Sequence, residues 1–133
     1  MIKSSGMLFV IMCMSISAQT SDETKVRNLL AAPPYNDTAM GKIRLVDQTY
    51  LQLIQVALKP GQVVPQHDAN SHVQIIVLEG EVVINLAGKD IPTKNGDLVP
   101  VEFKTPILIK NKSQKNATFV IIKTPNPSQM EKK

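Results

Sequence analysis

The chain has 133 residues, enough for one domain around a single core, and its formal net charge is only +4. It contains no Trp, two Tyr and three Phe, too few aromatic side chains for the base-stacking surface of a nucleic-acid-binding protein. Its single cysteine, Cys13, lies in the N-terminal segment, which leaves the rest of the chain without a thiol. The composition therefore argues against nucleic-acid partners and against thiol catalysis.

The first 18 residues have the order of a secretory signal peptide. Lys3 supplies a positive charge, Met7 to Met14 is an unbroken apolar run, and small residues follow as far as Ala18. The apolar run is too short to span a bilayer well. We expect cleavage near Ala18 or Gln19, export to the periplasm or the extracellular space, and no membrane span afterwards.

Residues 19–40 are predicted to form an arm that precedes the main domain. Apolar residues spaced three and four apart favour a short helix over residues 24–32. The Pro33-Pro34 pair ends that helix, because the residue before a proline avoids the helical conformation.

Residues 41–124 are predicted to be all β, with short strands between turn signals. The predicted strands are 42–46, 50–58, a strand from 63 through 67, 74–78, 81–86, a short segment at 90–91, 98–101, 106–110 and 117–123. Strands 74–78 and 81–86 are predicted to pair as a hairpin across Glu79-Gly80. Evenly spaced short strands are typical of a sandwich or barrel. Residues 125–133 are predicted to be a flexible, solvated tail.

Two glycines and a histidine in the middle of the chain have the spacing of a known motif. Five residues separate Gly61 from His67, and the next alternate position is Ala69. Val73 follows after three more residues, and six residues separate it from Gly80. This spacing resembles the first motif of the cupin superfamily, in which the positions of Ala69 and Val73 carry a second His and a Glu.

The second cupin motif is also recognisable. The chain from Gly96-Asp97 to Asn111 matches the family's spacing without a gap, and Glu102, Lys104 and Ile107 stand where the family has Pro, Gly and its third His. The resemblance covers roughly residues 51–124. It implies an all-β fold, a single-domain cupin-like jelly-roll β-barrel with a short N-terminal helix or arm.

The resemblance also implies where a metal would lie. Cupin metals are held by three His and one acid, and Ala69, Val73 and Ile107 offer no donor atom in three of those four places. We therefore predict no cofactor. The alternative is a weakly bound divalent transition metal on His67 and His72, although strand alternation places His72 on the opposite face from the usual acid position.

The motif register predicts a ligand pocket inside the barrel. Its inward-facing residues are His67, Ala69, Val73, Ile75, Val77 and Ile107. His67 is then a buried polar group on an apolar wall, where it orients a ligand or a water molecule.

Five lysines occur without an acid between Phe103 and Pro125: Lys104, Lys110, Lys112, Lys115 and Lys123. They are interpreted as a solvated edge that discourages aggregation between strands. The alternative is a rim that attracts anions.

Three hypotheses for function follow. The first is an exported, non-catalytic module that binds a small molecule or a partner in its barrel. The second is a metal-dependent cupin enzyme, of dioxygenase or isomerase type, with an atypical His67/His72 site. The third is a structural or interaction protein whose barrel is filled. A homodimer is expected, because small cupins commonly pair and a short barrel leaves strand edges to cover.

Overall fold

The computed structural model describes residues 24–130, so the predicted signal peptide and residues 131–133 lie outside the described part of the chain. The described residues form nine strands and one short helix. These are β1 (Gly41–Gln48), β2 (Leu51–Leu58), β3 (Val63–Asp68), β4 (His72–Glu79), β5 (Glu81–Leu86), β6 (Lys89–Lys94), β7 (Leu98–Val101), β8 (Pro106–Lys110), β9 (Ala117–Thr124) and α1 (Pro127–Met130).

The strands form two antiparallel sheets. One has five strands in the order β1-β2-β9-β4-β7, and the other has four in the order β3-β8-β5-β6. Except for β1–β2 and β5–β6, which pair directly, consecutive strands lie in different sheets, as they do in a jelly roll. This confirms the predicted all-β jelly-roll barrel, and all nine strands of the described residues lie within the predicted barrel segment, 41–124.

Alternation along the strands builds the core. Phe119, Ile75 and Ile84 are fully buried and come from both sheets. Side chains two apart on a strand share a face, so each strand sends every second residue into the interior. The core thus follows the apolar alternation of the sequence.

A bulge in β3 sets which of its residues face inward. Val64 lies opposite Ile109 of β8, and His67 lies opposite Ile107, so three steps on β3 match two on β8. The extra residue shifts the inward–outward alternation of β3 by one position. Val64 and His67 therefore both face inward, although they are three positions apart.

The predicted hairpin between 74–78 and 81–86 is wrong. β4 pairs with β9 and β7, whereas β5 pairs with β6 and β8 in the other sheet. Gly80 instead turns the chain from one sheet to the other. It has a φ of 84°, and a Cβ at this position would lie 2.4 Å from the carbonyl oxygen of Asn116. Two segments of alternating apolar and polar residues on either side of a glycine therefore do not reveal whether the strands pair as a hairpin or belong to different sheets.

The predicted helix over residues 24–32 is also wrong, and the arm alternative is correct. Asn28 closes a turn, with its carbonyl accepting from the amide of Ala31 at 3.1 Å and its side chain accepting from Leu30 at 2.9 Å. Val26, which the helix would bury, is 94% exposed. The buried Gln55 amide donates to the Leu29 carbonyl at 2.8 Å, so the arm is held by hydrogen bonds rather than by an apolar helix face.

The described part of the predicted tail is packed rather than solvated. The side chain of Asn126 is buried and donates to Asp47 at 2.6 Å and to the Gln48 carbonyl at 3.1 Å. The buried Ser71 hydroxyl donates to the Pro125 carbonyl at 2.6 Å. Polar side chains that look solvated in sequence thus tie residues 125 and 126 to the five-stranded sheet.

Asn111, the motif residue that the chain keeps, has a structural role. It is 1% exposed, and its amide donates to the carbonyls of Leu58 and Lys115 at 3.0 and 2.8 Å. Its oxygen accepts from the backbone amide and the hydroxyl of Ser113. One side chain therefore closes the β8–β9 loop against the end of β2.

Gly80→Ala should destabilise the protein more than Gly88→Ala. Both glycines have positive φ, 84° and 91°, which costs another residue about 1–2 kcal/mol. A Cβ at Gly80 would also meet the backbone of Asn116 and Ala117, whereas nothing lies within 4 Å of one at Gly88. The free energies of unfolding, measured in urea, compare the two variants. Equal losses would contradict the crossover role of Gly80.

Candidate functional site

A small crevice lies in the barrel where the metal of a cupin would be held. It has a volume of about 40 Å³. Its apolar wall consists of Val64, Ala69, Val73, Ile75, Ile107, Ile109 and Ile121, and its polar lining consists of His67, Asn70 and Lys123. We call this end of the barrel, where β3 and β9 end and β4 begins, the mouth.

Five of the six predicted pocket residues come together at this crevice. Ala69, Val73 and Ile107 are each 5% exposed or less, and Ile75 is fully buried below them. The sixth, Val77, lies farther along β4, opposite Phe119 of β9, where it is fully buried in the core. The pocket is therefore shallower than the motif register alone predicts.

The expectation that His67 is buried is wrong. His67 faces the inward side of β3 but is exposed at the rim of the crevice. Its Nδ1 lies 3.0 Å from the Pro65 carbonyl, which only accepts, so Nδ1 carries the proton of this hydrogen bond. In the neutral ring, Nε2 is then left as an acceptor. The strand ends at Asp68, too soon to cover the ring.

The structure does not bring His72 to His67 in the crevice. His72 begins β4 with its side chain 55% exposed, and its Nδ1 lies 3.8 Å from a carboxylate oxygen of Glu102. Its ring is 6.1 Å from that of Phe103. Across residues 24–130, no three or more His, Cys, Asp and Glu side chains converge as a metal site would require. The residues present do not fit the cupin metal, because carbon atoms occupy three of its four donor positions.

Lys123 is the charged residue among the five crevice residues that sequence reasoning did not place in the pocket; the other four are Val64, Asn70, Ile109 and Ile121. Phe119, Ile121 and Lys123 alternate along β9, so the lysine shares the inward face with the core. It is half-buried, and burial lowers the pKa of its ammonium group below the ordinary value. Counting every second residue along β9 from the buried Phe119 would have predicted that Lys123 faces inward. That signal would have set it apart from the other four lysines between Phe103 and Pro125.

Further cations stand near Lys123. The positive charges of Lys42 and Arg44 on β1 lower the pKa of Lys123 further, after the larger effect of burial. Arg44 has a partner, since it lies 3.4 Å from Asp47, whose carboxylate also accepts from Gln52. Among the residues that the structure describes, no carboxylate lies within 4.0 Å of the Lys123 ammonium.

A larger cleft opens at the opposite end of the barrel. It has a volume of about 710 Å³ and lies between the arm and the turns that follow β4, β6 and β8. Its walls combine Tyr35, the carboxylates of Glu79 and Glu81, and Lys115. Burial raises the pKa of Tyr35, and the negative charge of Glu79 adds to the rise. This cleft is wide and open, and it lies at the far end of β4 and β9 from the mouth.

The described residues include no helix long and apolar enough to cross a membrane.

One relative is similar over most of its length. An uncharacterized protein of Methanocaldococcus jannaschii is 30% identical over 88 residues, which are 65% of this chain and 76% of that protein. Its crystal structure, described as an RmlC-like cupin with a double-stranded β-helix fold, has a TM-score of 0.66 with this chain. That match covers 82% of this chain and 97% of the other, at 27% identity.

Other solved structures share the fold at lower identity. An RmlC-like cupin from Desulfovibrio desulfuricans has a TM-score of 0.66 at 24% identity, covering 77% of this chain and 98% of that one. A predicted oxalate decarboxylase of Thermotoga maritima has a TM-score of 0.60 at 23% identity, covering 65% of this chain and 80% of that one.

No protein-family model matches the sequence. Membership therefore rests on the two motif spacings, on the jelly-roll topology and on the Methanocaldococcus relative. Together they show that this chain is a member of the cupin superfamily.

Proposed function

We propose that this protein is a non-catalytic binding module that captures a small molecule at the mouth of its barrel. The observation that carries the proposal is the lining of the crevice. Ala69, Val73 and Ile107 supply carbon where a metal-dependent cupin supplies donor atoms, while His67 and Lys123 keep polar groups at the edge. An apolar wall with a few polar groups is the usual composition of a small-molecule site.

The same lining argues against the enzyme alternative. A metal-dependent cupin enzyme of dioxygenase or isomerase type needs its metal to polarise the substrate, and the proposed His67/His72 pair is not formed in the crevice. We therefore assign no catalytic step to this chain. The oxalate decarboxylase description belongs to the Thermotoga protein, which shares the fold.

The size of the crevice supports the remaining alternative, a filled barrel with a structural or interaction role. Its volume of about 40 Å³ is far below that of a typical ligand pocket, roughly 300–1,000 Å³. The part of the ligand that enters the crevice is therefore small, or the exposed side chain of His67 moves so that a larger part of the ligand enters. The two hypotheses differ in whether anything is bound.

Extraction of small molecules from the protein tests the proposal. Protein purified without a tag from its native host should release a bound compound on denaturation, detected by mass spectrometry. Ala69→Leu should abolish capture, because Ala69 is 4% exposed on the crevice wall and the larger side chain fills it. Ala39→Leu is the matched control, since Ala39 is exposed in a separate groove beside the arm.

Each outcome decides between the hypotheses. Loss of the compound from Ala69→Leu, with retention in Ala39→Leu, supports capture at the mouth. A compound retained by both variants places the site elsewhere, with the cleft between Tyr35 and Glu79 as the next candidate. A wild-type protein that releases no compound favours the filled barrel.

We also infer that the protein is exported to the periplasm or the extracellular space. The support is the charged, apolar and small-residue order of residues 1–18. The lack of cysteine after Cys13 is consistent with a domain that is stable without disulfides, through its barrel core.

Cleavage near Ala18 or Gln19 is the expected outcome for the native protein. Removal of the apolar run leaves a chain that begins with polar residues, and an intact-mass measurement of protein from the native host identifies the new N-terminus. A soluble cytosolic species that still carries Met1 would contradict export.

The homodimer stays a prediction. β1 and β7 are the edges of the five-stranded sheet, and β3 and β6 are the edges of the four-stranded sheet. Edge strands present unpaired backbone groups, so pairing with a second copy would satisfy them. Light scattering of the purified protein gives the solution mass that decides it.

A further inference from the structure

Lys123 stands at the mouth as a partly desolvated cation, and its register partners on the two adjacent strands are uncharged. Its register partners are Gln52 on β2 and Val73 on β4. Lys42 and Arg44 add positive charge from β1, and Asp47 is already engaged by Arg44, Gln52 and Asn126. Partial burial of an ammonium group without a counter-ion is unfavourable, so this corner of the mouth attracts an anion.

We propose that the mouth is a binding site for the carboxylate of a small organic acid, with the Lys123 ammonium as its counter-ion. The inference rests on the proposed function and deepens it, because it names the ligand class of the same crevice. The carboxylate lies at the rim beside Lys123, and a short apolar tail enters between Ala69, Val73 and Ile107.

The shape of the crevice selects this class. A volume of about 40 Å³ admits only a few non-hydrogen atoms. Its deep wall is made of Val, Ile and Ala side chains, which favour hydrocarbon over further polar groups. An ion pair formed against a partly buried lysine is screened less by salt than a pair between exposed groups.

His67 adds a second polar contact on the opposite sheet. Its Nδ1 donates to the Pro65 carbonyl, and Nε2 is the ring atom left for a ligand. A carboxylate also only accepts, so a water molecule that donates to both Nε2 and the carboxylate would make this contact. Asp68, the next residue along β3, is exposed. Because successive side chains of a strand point to opposite faces, its carboxylate points away from the face that carries His67.

Titration with propionate and propionamide tests the inference. The two compounds have the same apolar tail and nearly the same shape, but only propionate is charged. Two-dimensional ¹H–¹⁵N NMR spectra of the protein would report binding through the backbone amides of Ala69, Val73 and Ile107. We expect propionate to shift these amides and propionamide to bind at least about tenfold more weakly.

Lys123→Met removes the charge and keeps an unbranched side chain of similar length. Propionate affinity should fall at least about tenfold in this variant. Lys112→Met is the matched control, because Lys112 lies beyond the other end of β8, 4.0 Å from Asp90, and its loss should leave the affinity unchanged. The spectrum of each variant shows whether it is folded, and Lys123→Gln replaces Lys123→Met should the latter not fold.

Any of three results would overturn the inference. Equal binding of propionate and propionamide would show an apolar crevice that ignores charge, and the proposed function would stand without the carboxylate. Undiminished propionate binding by a folded Lys123→Met variant, or no shift at the mouth with propionate, would remove Lys123 from recognition. The proposed function is judged separately, by the compound that the wild-type protein releases and the Ala69→Leu variant lacks.

Discussion

Carbon atoms in the place of metal ligands are the constraint on which this molecule's chemistry depends. Ala69 follows the end of β3, Val73 lies on β4 and Ile107 lies on β8, and the three meet at the mouth, each almost fully buried. Imidazole and carboxylate groups at these positions would make the mouth polar and able to hold a transition metal. With carbon there, the mouth is a small apolar surface, and a ligand bound at it would rely on packing and on the polar groups at its rim.

The fold presents this surface through a few local devices. The bulge in β3 turns both Val64 and His67 inward, and Gly80 passes the chain between sheets where a side chain would collide with the backbone. Asn111 and Asn126 then fasten the loop before β9 and the segment after it with buried hydrogen bonds. Lys123 lies at the mouth because inward-facing and outward-facing residues alternate along the whole of β9, from the core to the end of the strand.

The sequence predicted the barrel well because alternation and motif spacing are local signals. The bounds of β5, β7 and β8 follow directly from their flanking turns, and five of the ten residues that line the crevice follow from the cupin spacing. Pairing partners depend on distant parts of the chain, which is why the hairpin across Gly80 was a wrong prediction. The exposure of His67 depends on where its strand ends, and the burial of Lys123 depends on the neighbouring sheet. The type of residue at positions 67 and 123 alone therefore predicts neither the exposure of His67 nor the burial of Lys123.

Elemental analysis of the wild-type protein, purified untagged from its native host, tests the central claim most directly. We expect iron, manganese, nickel and zinc each to be well below one atom per chain, because three of the four donor positions hold Ala, Val and Ile. A content close to one of these metals per chain, lost in His67→Ala, would contradict it and would return the protein to the metal-dependent cupins.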